Sequence, residues 1–210
     1  ANTNIAFNID FDEVEDFHIN KGADITVLTY KVDNPTNKKI VVSQDKNKRI
    51  KDMRLAVAGD KNALCDLNIY FVKKDLLISI IDKAYAYGYQ DFEKDILMKA
   101  LDDLYVMSYE VTDYVAVIDN IESYFKHSMD LLDPKVRENL FYKNSTILTK
   151  VKDSVPARYG SDAVVSNSII ADGCVIEGTV ENSVLFRSVR VGKGAVVRNS
   201  IVMEDGIIMD

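Results

Sequence analysis

The chain has 210 residues, 47% of them hydrophobic and 28% charged, and carries a formal net charge of −7. Without a dense run of Lys and Arg, an acidic chain is a poor partner for nucleic acid, whose phosphates are bound through clustered cations. No apolar run reaches membrane-spanning length, no charged-then-apolar leader is visible, and Cys65 and Cys174 stand in different halves with no paired spacing; a cytoplasmic protein without membrane partners, disulfides or a zinc site is expected.

In chain order, Ile5 to Ile9 reads as a strand end, and Asp10-Phe11-Asp12-Glu13 opens a helix that runs to Lys21 before Gly22. Asp10 and Asp12 admit two readings, a metal-binding pair or a helix cap with Glu13 at capping-box spacing. A strand spans residues 24–32. Residues 40–44 and 49–55 flank the turn-rich Asp45-Lys46-Asn47-Lys48 and form a hairpin candidate. A strand over 67–72 precedes helices over 74–86 and 93–104, the second capped by Asp91. Strands over 105–111 and 114–118 follow, then a helix over 120–132. A last helix begins at Asp133-Pro134, where the missing N–H of proline is harmless. Mixed strands and helices indicate a layered α/β region. His18 and His127 both fall in predicted helices, with no nucleophile nearby in sequence, and read as partly exposed helix residues rather than catalytic bases.

From Gly160 onward the composition changes: six of the nine glycines lie there. The segment from Thr149 to Gly160 has no clear period and reads as a linker, dividing the chain into 1–148, 149–160 and 161–210. In the last part aliphatic or Met side chains recur every six residues at Val164, Ile170 and Ile176. After a three-residue slip they continue at Leu185, Val191, Val197, Met203 and Met209. Asn-Ser-aliphatic-aliphatic returns at Asn167, Asn182 and Asn199, and frequent turns leave only short strands. Hexapeptide repeats wound into a parallel β-helix account for this; a meander of short antiparallel strands is the alternative. The β-helix contains no histidine, which disfavours the acyltransferase chemistry that a surface histidine base would serve.

Tyr114-Val115-Ala116-Val117-Ile118-Asp119-Asn120-Ile121-Glu122-Ser123-Tyr124-Phe125, then Met129-Asp130-Leu131-Leu132-Asp133, resembles bacterial ADP-glucose pyrophosphorylase, the glucose-1-phosphate adenylyltransferase family. There the segment reads Tyr-Trp-Lys-Asp-Val-Gly-Thr-Ile-Glu-Ser-Tyr-Trp, then Asn-Met-Asp-Leu-Leu. Asn182-Ser183-Val184-Leu185-Phe186 is close to the family's Ser-Val-Leu-Phe rung. The resemblance implies an α/β fold: the C-terminal part of a Rossmann-like nucleotidyltransferase domain followed by a left-handed parallel β-helix. It also implies a fragment that lacks the family's Gly-rich ATP-binding loop and the C-terminal end. The family's reaction is attack of a sugar-phosphate oxygen on the α-phosphorus of ATP, with Mg²⁺ neutralising the phosphates and a lysine holding the sugar phosphate.

Carried over by motif, the family's first metal Asp falls on Asn4, its Glu-Lys pair on Leu55 and Ala56, and its second Asp on Val117. Every charge is lost. A family Ser beside the phosphate becomes Asp66, a substrate-site candidate. The pattern implies a non-catalytic regulatory subunit that holds no metal and needs no cofactor. It would pair with a catalytic ADP-glucose pyrophosphorylase subunit, as a hetero-tetramer, in glycogen synthesis. The competing reading is an active sugar-1-phosphate nucleotidyltransferase with Mg²⁺ on Asp10 or Asp12. Lys150, Lys152 and Arg158 are candidates for binding small phosphorylated effectors, or are solvated linker charges.

Overall fold

A computed structural model describes residues 3–148 and 153–210. The chain forms two compact units, one made of residues 9–115 with the first three residues, the other of residues 4–8 and 116–210.

The first unit is built on a mixed five-stranded sheet. Helix α1 (Phe11–Lys21) follows strand β1 (Ile5–Phe7) of the other unit and leads to β2 (Ile25–Val32), β3 (Ile40–Gln44), β4 (Ile50–Leu55) and β5 (Ala63–Val72). Helix α2 (Lys74–Tyr87), a π-helical segment (Phe92–Leu97) and β6 (Val106–Glu110) complete it. The sheet order is β4-β3-β5-β2-β6, with β2 antiparallel to β5 and parallel to β6. Strand β2 lies inside the sheet between β5 and β6, and Ile25, Val27 and Leu28 are fully buried as its run of Val, Ile and Leu requires. Gly22 ends α1 and Gly88 ends α2, each in the left-handed conformation that glycine adopts without strain.

Two local outcomes differ from the sequence expectation. The helix expected over 93–104 is a six-residue π-helical segment followed by turns. Asp91 Oδ1 accepts from the amides of both Glu93 and Lys94 as an ordinary cap, Asp95 N closes the first turn on Asp91 O, and the wide winding shows where Met98 N donates five residues back to Glu93 O. Strand β5 begins earlier than expected, at Ala63, and bulges at Asn68, where φ is +63°. Val27 pairs with Tyr70 and Thr29 with Asp66, so β5 carries extra residues opposite Leu28.

In the second unit β1 pairs with β7 (Val115–Val117), and helices α3 (Ile121–Asp130) and α4 (Pro134–Phe141) follow. Asn120 caps α3 with Ser123 in a reciprocal capping box, and Asp133 caps α4 ahead of Pro134. The remainder is a parallel β-solenoid of about three turns. Its strands are β8 (Arg158–Tyr159), β9 (Val164–Ser166), β10 (Ile169–Ile170), β11 (Val175–Ile176), β12 (Thr179–Glu181) and β13 (Val184–Leu185), then β14 (Arg190–Val191), β15 (Val196–Arg198), β16 (Ile201–Val202) and β17 (Ile207–Ile208). They stack into three parallel sheets, β8-β11-β14-β17, β9-β12-β15 and β10-β13-β16.

The inward rungs are Val165-Val180-Val197, Ile170-Leu185-Val202 and Ile176-Val191-Ile208. Val164, Met203 and Met209, which a strict period of six places inside, are 54%, 54% and 72% exposed, and Val165, Val202 and Ile208 take the rung positions instead. The cause is the Asn-Ser corner. Asn167, Asn182 and Asn199 sit at φ +41°, +47° and +48°, turning the chain with one residue fewer than a hexapeptide supplies. Their amides form a ladder, Asn167 Nδ2 donating to Asn182 Oδ1 (2.8 Å) and Asn182 Nδ2 to Asn199 Oδ1 (2.5 Å). A second ladder runs beside it: Ser183 N donates to Ser168 Oγ and Ser200 N to Ser183 Oγ, both at 3.1 Å. Gly178 allows the next coil to close in, since a Cβ there would lie 2.3 Å from Ala195 O. No helix among the described residues is long and apolar enough to cross a membrane.

Candidate functional site

In the second unit, the β1–β7 edge brings Asn4 to the turn that follows Val117. Ile118 N donates to Asn4 O at 2.8 Å, and Asn4 Nδ2 donates to Ile118 O (3.2 Å) and to Asp119 Oδ1 (3.1 Å). The Asn4 amide is thus spent on closing the edge, and Val117 contributes only a half-buried aliphatic side chain. Asp119, which the motif comparison passed over, is the one carboxylate in contact with Asn4 among the described residues. Its position was legible as the residue two beyond Val117, but only the strand pairing shows that it meets Asn4.

In the first unit, Leu55 ends β4 and is 44% exposed, whereas Ala56 is buried against Val41 and Cys65. Burial pushes the Cys65 thiol up to about 11, so it is not a nucleophile near neutral pH. Asp66, on β5, is buried. Its Oδ1 accepts from Asn68 N at 2.7 Å and its Oδ2 from the Tyr70 hydroxyl at 2.6 Å. Tyr70 Oη also lies 3.1 Å from Asn68 Oδ1 and 3.3 Å from Glu93 Oε1. The bulge at Asn68 is what lets Asp66 and Tyr70, on one face of one strand, meet this closely. Burial raises the Asp66 carboxyl to about 7 against the opposing pull of the Tyr70 and Asn68 hydrogen bonds; Glu93 raises it further and Lys39 lowers it. The Tyr70 hydroxyl is pushed up by burial and then by Asp66 and Glu93. The sequence singled out Asp66 alone; Tyr70 is suggested by strand alternation, and Glu93 by no local signal.

Asp10 caps α1, its Oδ1 accepting from Asp12 N at 2.9 Å, and both aspartates are exposed. His18 is 5% exposed, which corrects the expectation of a partly exposed residue: its ring packs beside Phe71, and Nδ1 meets Thr26 Oγ1 at 2.8 Å. Burial, then Lys73, lowers its pKa. His127 Nδ1 pairs with Asp130 at 3.3 Å, and burial lowers its pKa as well. Of the effector candidates, Arg158 opens β8 with its side chain exposed; Lys150 and Lys152 lie outside the described residues.

The donor chemistry does not fit Mg²⁺ held in the way the resemblance implies. That ion wants anionic oxygen ligands, and Asn4, Leu55, Ala56 and Val117 supply an engaged amide and three aliphatic groups. Among the described residues no three His, Cys, Asp or Glu side chains are grouped to hold a metal.

Residues 151–210 match the family model described as GlmU-like, C-terminal hexapeptide. The chain is 40% identical over 197 residues to the glycogen biosynthesis protein GlgD of Geobacillus stearothermophilus, covering 94% of this chain and 48% of that protein. It is 41% identical over 132 residues to GlgD of Bacillus subtilis strain 168, covering 63% of this chain and 38% of that one. The glucose-1-phosphate adenylyltransferase of Geobacillus stearothermophilus is 31% identical over 196 residues, covering 91% and 51% respectively. The chain therefore spans about half the length of the two Geobacillus relatives, and less of the Bacillus one.

Proposed function

We propose, since this chain fits the ADP-glucose pyrophosphorylase-like family, that it serves glycogen biosynthesis as a non-catalytic regulatory subunit paired with a catalytic glucose-1-phosphate adenylyltransferase in the cytoplasm. One observation carries the reading: the positions at which the resemblance expects metal and sugar-phosphate ligands hold Asn4, Leu55, Ala56 and Val117, although the chain has the α/β region and the hexapeptide solenoid that the resemblance implies. Phosphoryl-group chemistry depends on positioned charge. Leu55 and Val117 cannot ligate a cation, and Ala56 is sealed in the core. The role left to such a chain is interface and effector surface that biases a partner between more and less active states.

The test is ADP-glucose formation by the intact protein alone, by its catalytic partner alone, and by the two mixed. Negligible activity alone with a several-fold gain on mixing is expected; turnover alone at a rate comparable to the catalytic subunit removes the proposal. Arg158→Ala in the same mixture reports whether that exposed guanidinium takes part in the response to phosphorylated metabolites. A second reading, an active sugar-1-phosphate nucleotidyltransferase dependent on Mg²⁺, has Asp119 in its favour, a carboxylate 3.1 Å from the Asn4 amide. High activity alone that falls in Asp119→Asn is its signature.

A further inference from the structure

Hydrogen-bond accounting around Tyr70 leaves a proton to be found. The phenol has one proton, yet its oxygen lies within reach of Asp66 Oδ2 (2.6 Å), Asn68 Oδ1 (3.1 Å) and Glu93 Oε1 (3.3 Å), all acceptors when the two acids are ionised. With a single proton only one link can form, and the other contacts set lone pair against lone pair in a partly buried setting, at the buried Asp66 above all. With one carboxyl proton added, two links form in a directed chain: Asp66 donates to Tyr70 Oη while Tyr70 donates to Glu93, or the reverse.

Glu93 belongs to the π-helical segment Phe92–Leu97, whose Phe92 ring lies 5.0 Å from that of Tyr70. The same stretch of chain carries Asp95, Ile96, Lys99 and Ala100, which line a cavity of about 320 Å³ against α2.

We propose that Asp66, Tyr70 and Glu93 form a proton-dependent clasp, in which one carboxyl proton shared by the two acids fastens the Phe92–Leu97 segment to β5, and whose loss frees that segment and the cavity wall it carries. The titratable and charged groups facing Asp66 are Tyr70 on its own strand, Glu93 from the π-helical segment, and Lys39 ahead of β3. Only Lys39 favours ionisation among the charged ones, whereas Glu93 is in the hydrogen-bonded chain. The release needs no metal or ligand, and it is independent of whether the chain is catalytic.

The experiment uses the whole chain. Infrared spectra in D₂O are recorded as a function of pH for the wild type, Asp66→Asn and Glu93→Gln, alongside amide hydrogen exchange of residues 93–100 corrected for its intrinsic pH dependence. A protonated-carboxyl band that persists at pH 6, well above the ordinary carboxylate range, and is lost by pH 8 is expected in the wild type, absent or halved in either variant. Corrected exchange of residues 93–100 should rise about tenfold between pH 6 and 8, about 1.4 kcal/mol of lost protection. In Glu93→Gln, where the amide NH₂ donates permanently to Tyr70 Oη, protection should stay level with pH. Absence of the band above pH 5 in the wild type, or its persistence unchanged in both variants, overturns the proposal. So does corrected exchange with the same pH profile in wild type and Glu93→Gln.

Discussion

Two buried titratable side chains, His18 and Asp66, tilt stability in opposite directions with pH. His18 has its folded pKa lowered by burial, so the unfolded chain takes up a proton first as pH falls below about 6.5, and stability is lost on acidification. Asp66 has its folded pKa raised to about 7, so its favourable contribution is complete below about pH 4 and is lost as pH rises from there through 7. The two slopes overlap, and a wild-type curve alone hides both. Denaturant unfolding between pH 5 and 7.5 should therefore show His18→Gln to be less sensitive to acid than the wild type; parallel curves would mean that His18 protonates freely in the folded chain. The sequence marked His18 as a helix residue but not its depth, because the partner Thr26 and the neighbouring Phe71 come from strands that reach it only in the fold.

The Asn-Ser corner is the element that decides how the solenoid stacks. Asn182 is the middle rung, accepting from Asn167 and donating to Asn199, and its φ of +47° is open to few side chains. Asn182→Ala removes both amide bonds and adds left-handed strain, and is expected to cost about 2–3 kcal/mol. Asn182→Gly relieves the strain but not the bonds and should cost about half that; thermal or denaturant unfolding separates them, and equal losses would deny the ladder any weight. The repeat of Asn-Ser was plain in the sequence. That it shortens each coil, moving the rungs from Val164, Met203 and Met209 to Val165, Val202 and Ile208, follows from corner geometry that period counting cannot contain. The π-helical segment is the same lesson in the other half. Its apolar spacing matches an ordinary helix, while the chain winds wider, with Met98 N bonded five residues back to Glu93 O.

At the scale of the whole molecule, the two compact units hold separate cores. Ile25, Val27, Ile50 and Leu97 belong to one, and Ile176, Val180, Leu185 and Val191 to the other. Ile25→Ala and Leu185→Ala, each emptying a fully buried site, are expected to cost about 2–5 kcal/mol. Amide exchange should place each loss in the unit that owns the core, with Leu185→Ala felt along several coils because stacked repeats support only their neighbours; loss spread evenly over the chain would refute that division. Composition, the recurring Asn-Ser corners and cap residues such as Asp91, Asn120 and Asp133 determined by themselves the α/β region, the solenoid and most element starts, because those are properties of nearby residues along the chain. The uncharged state of Asn4, Leu55, Ala56 and Val117 was equally a fact of sequence. Only the tertiary structure decided that Asp119 meets Asn4, that Asp66, Tyr70 and Glu93 share one hydrogen-bonded site, and which side chains form the rungs. Those depend on strand pairing, a bulge and the length of each coil, which join residues far apart in the chain through contacts that no local pattern records.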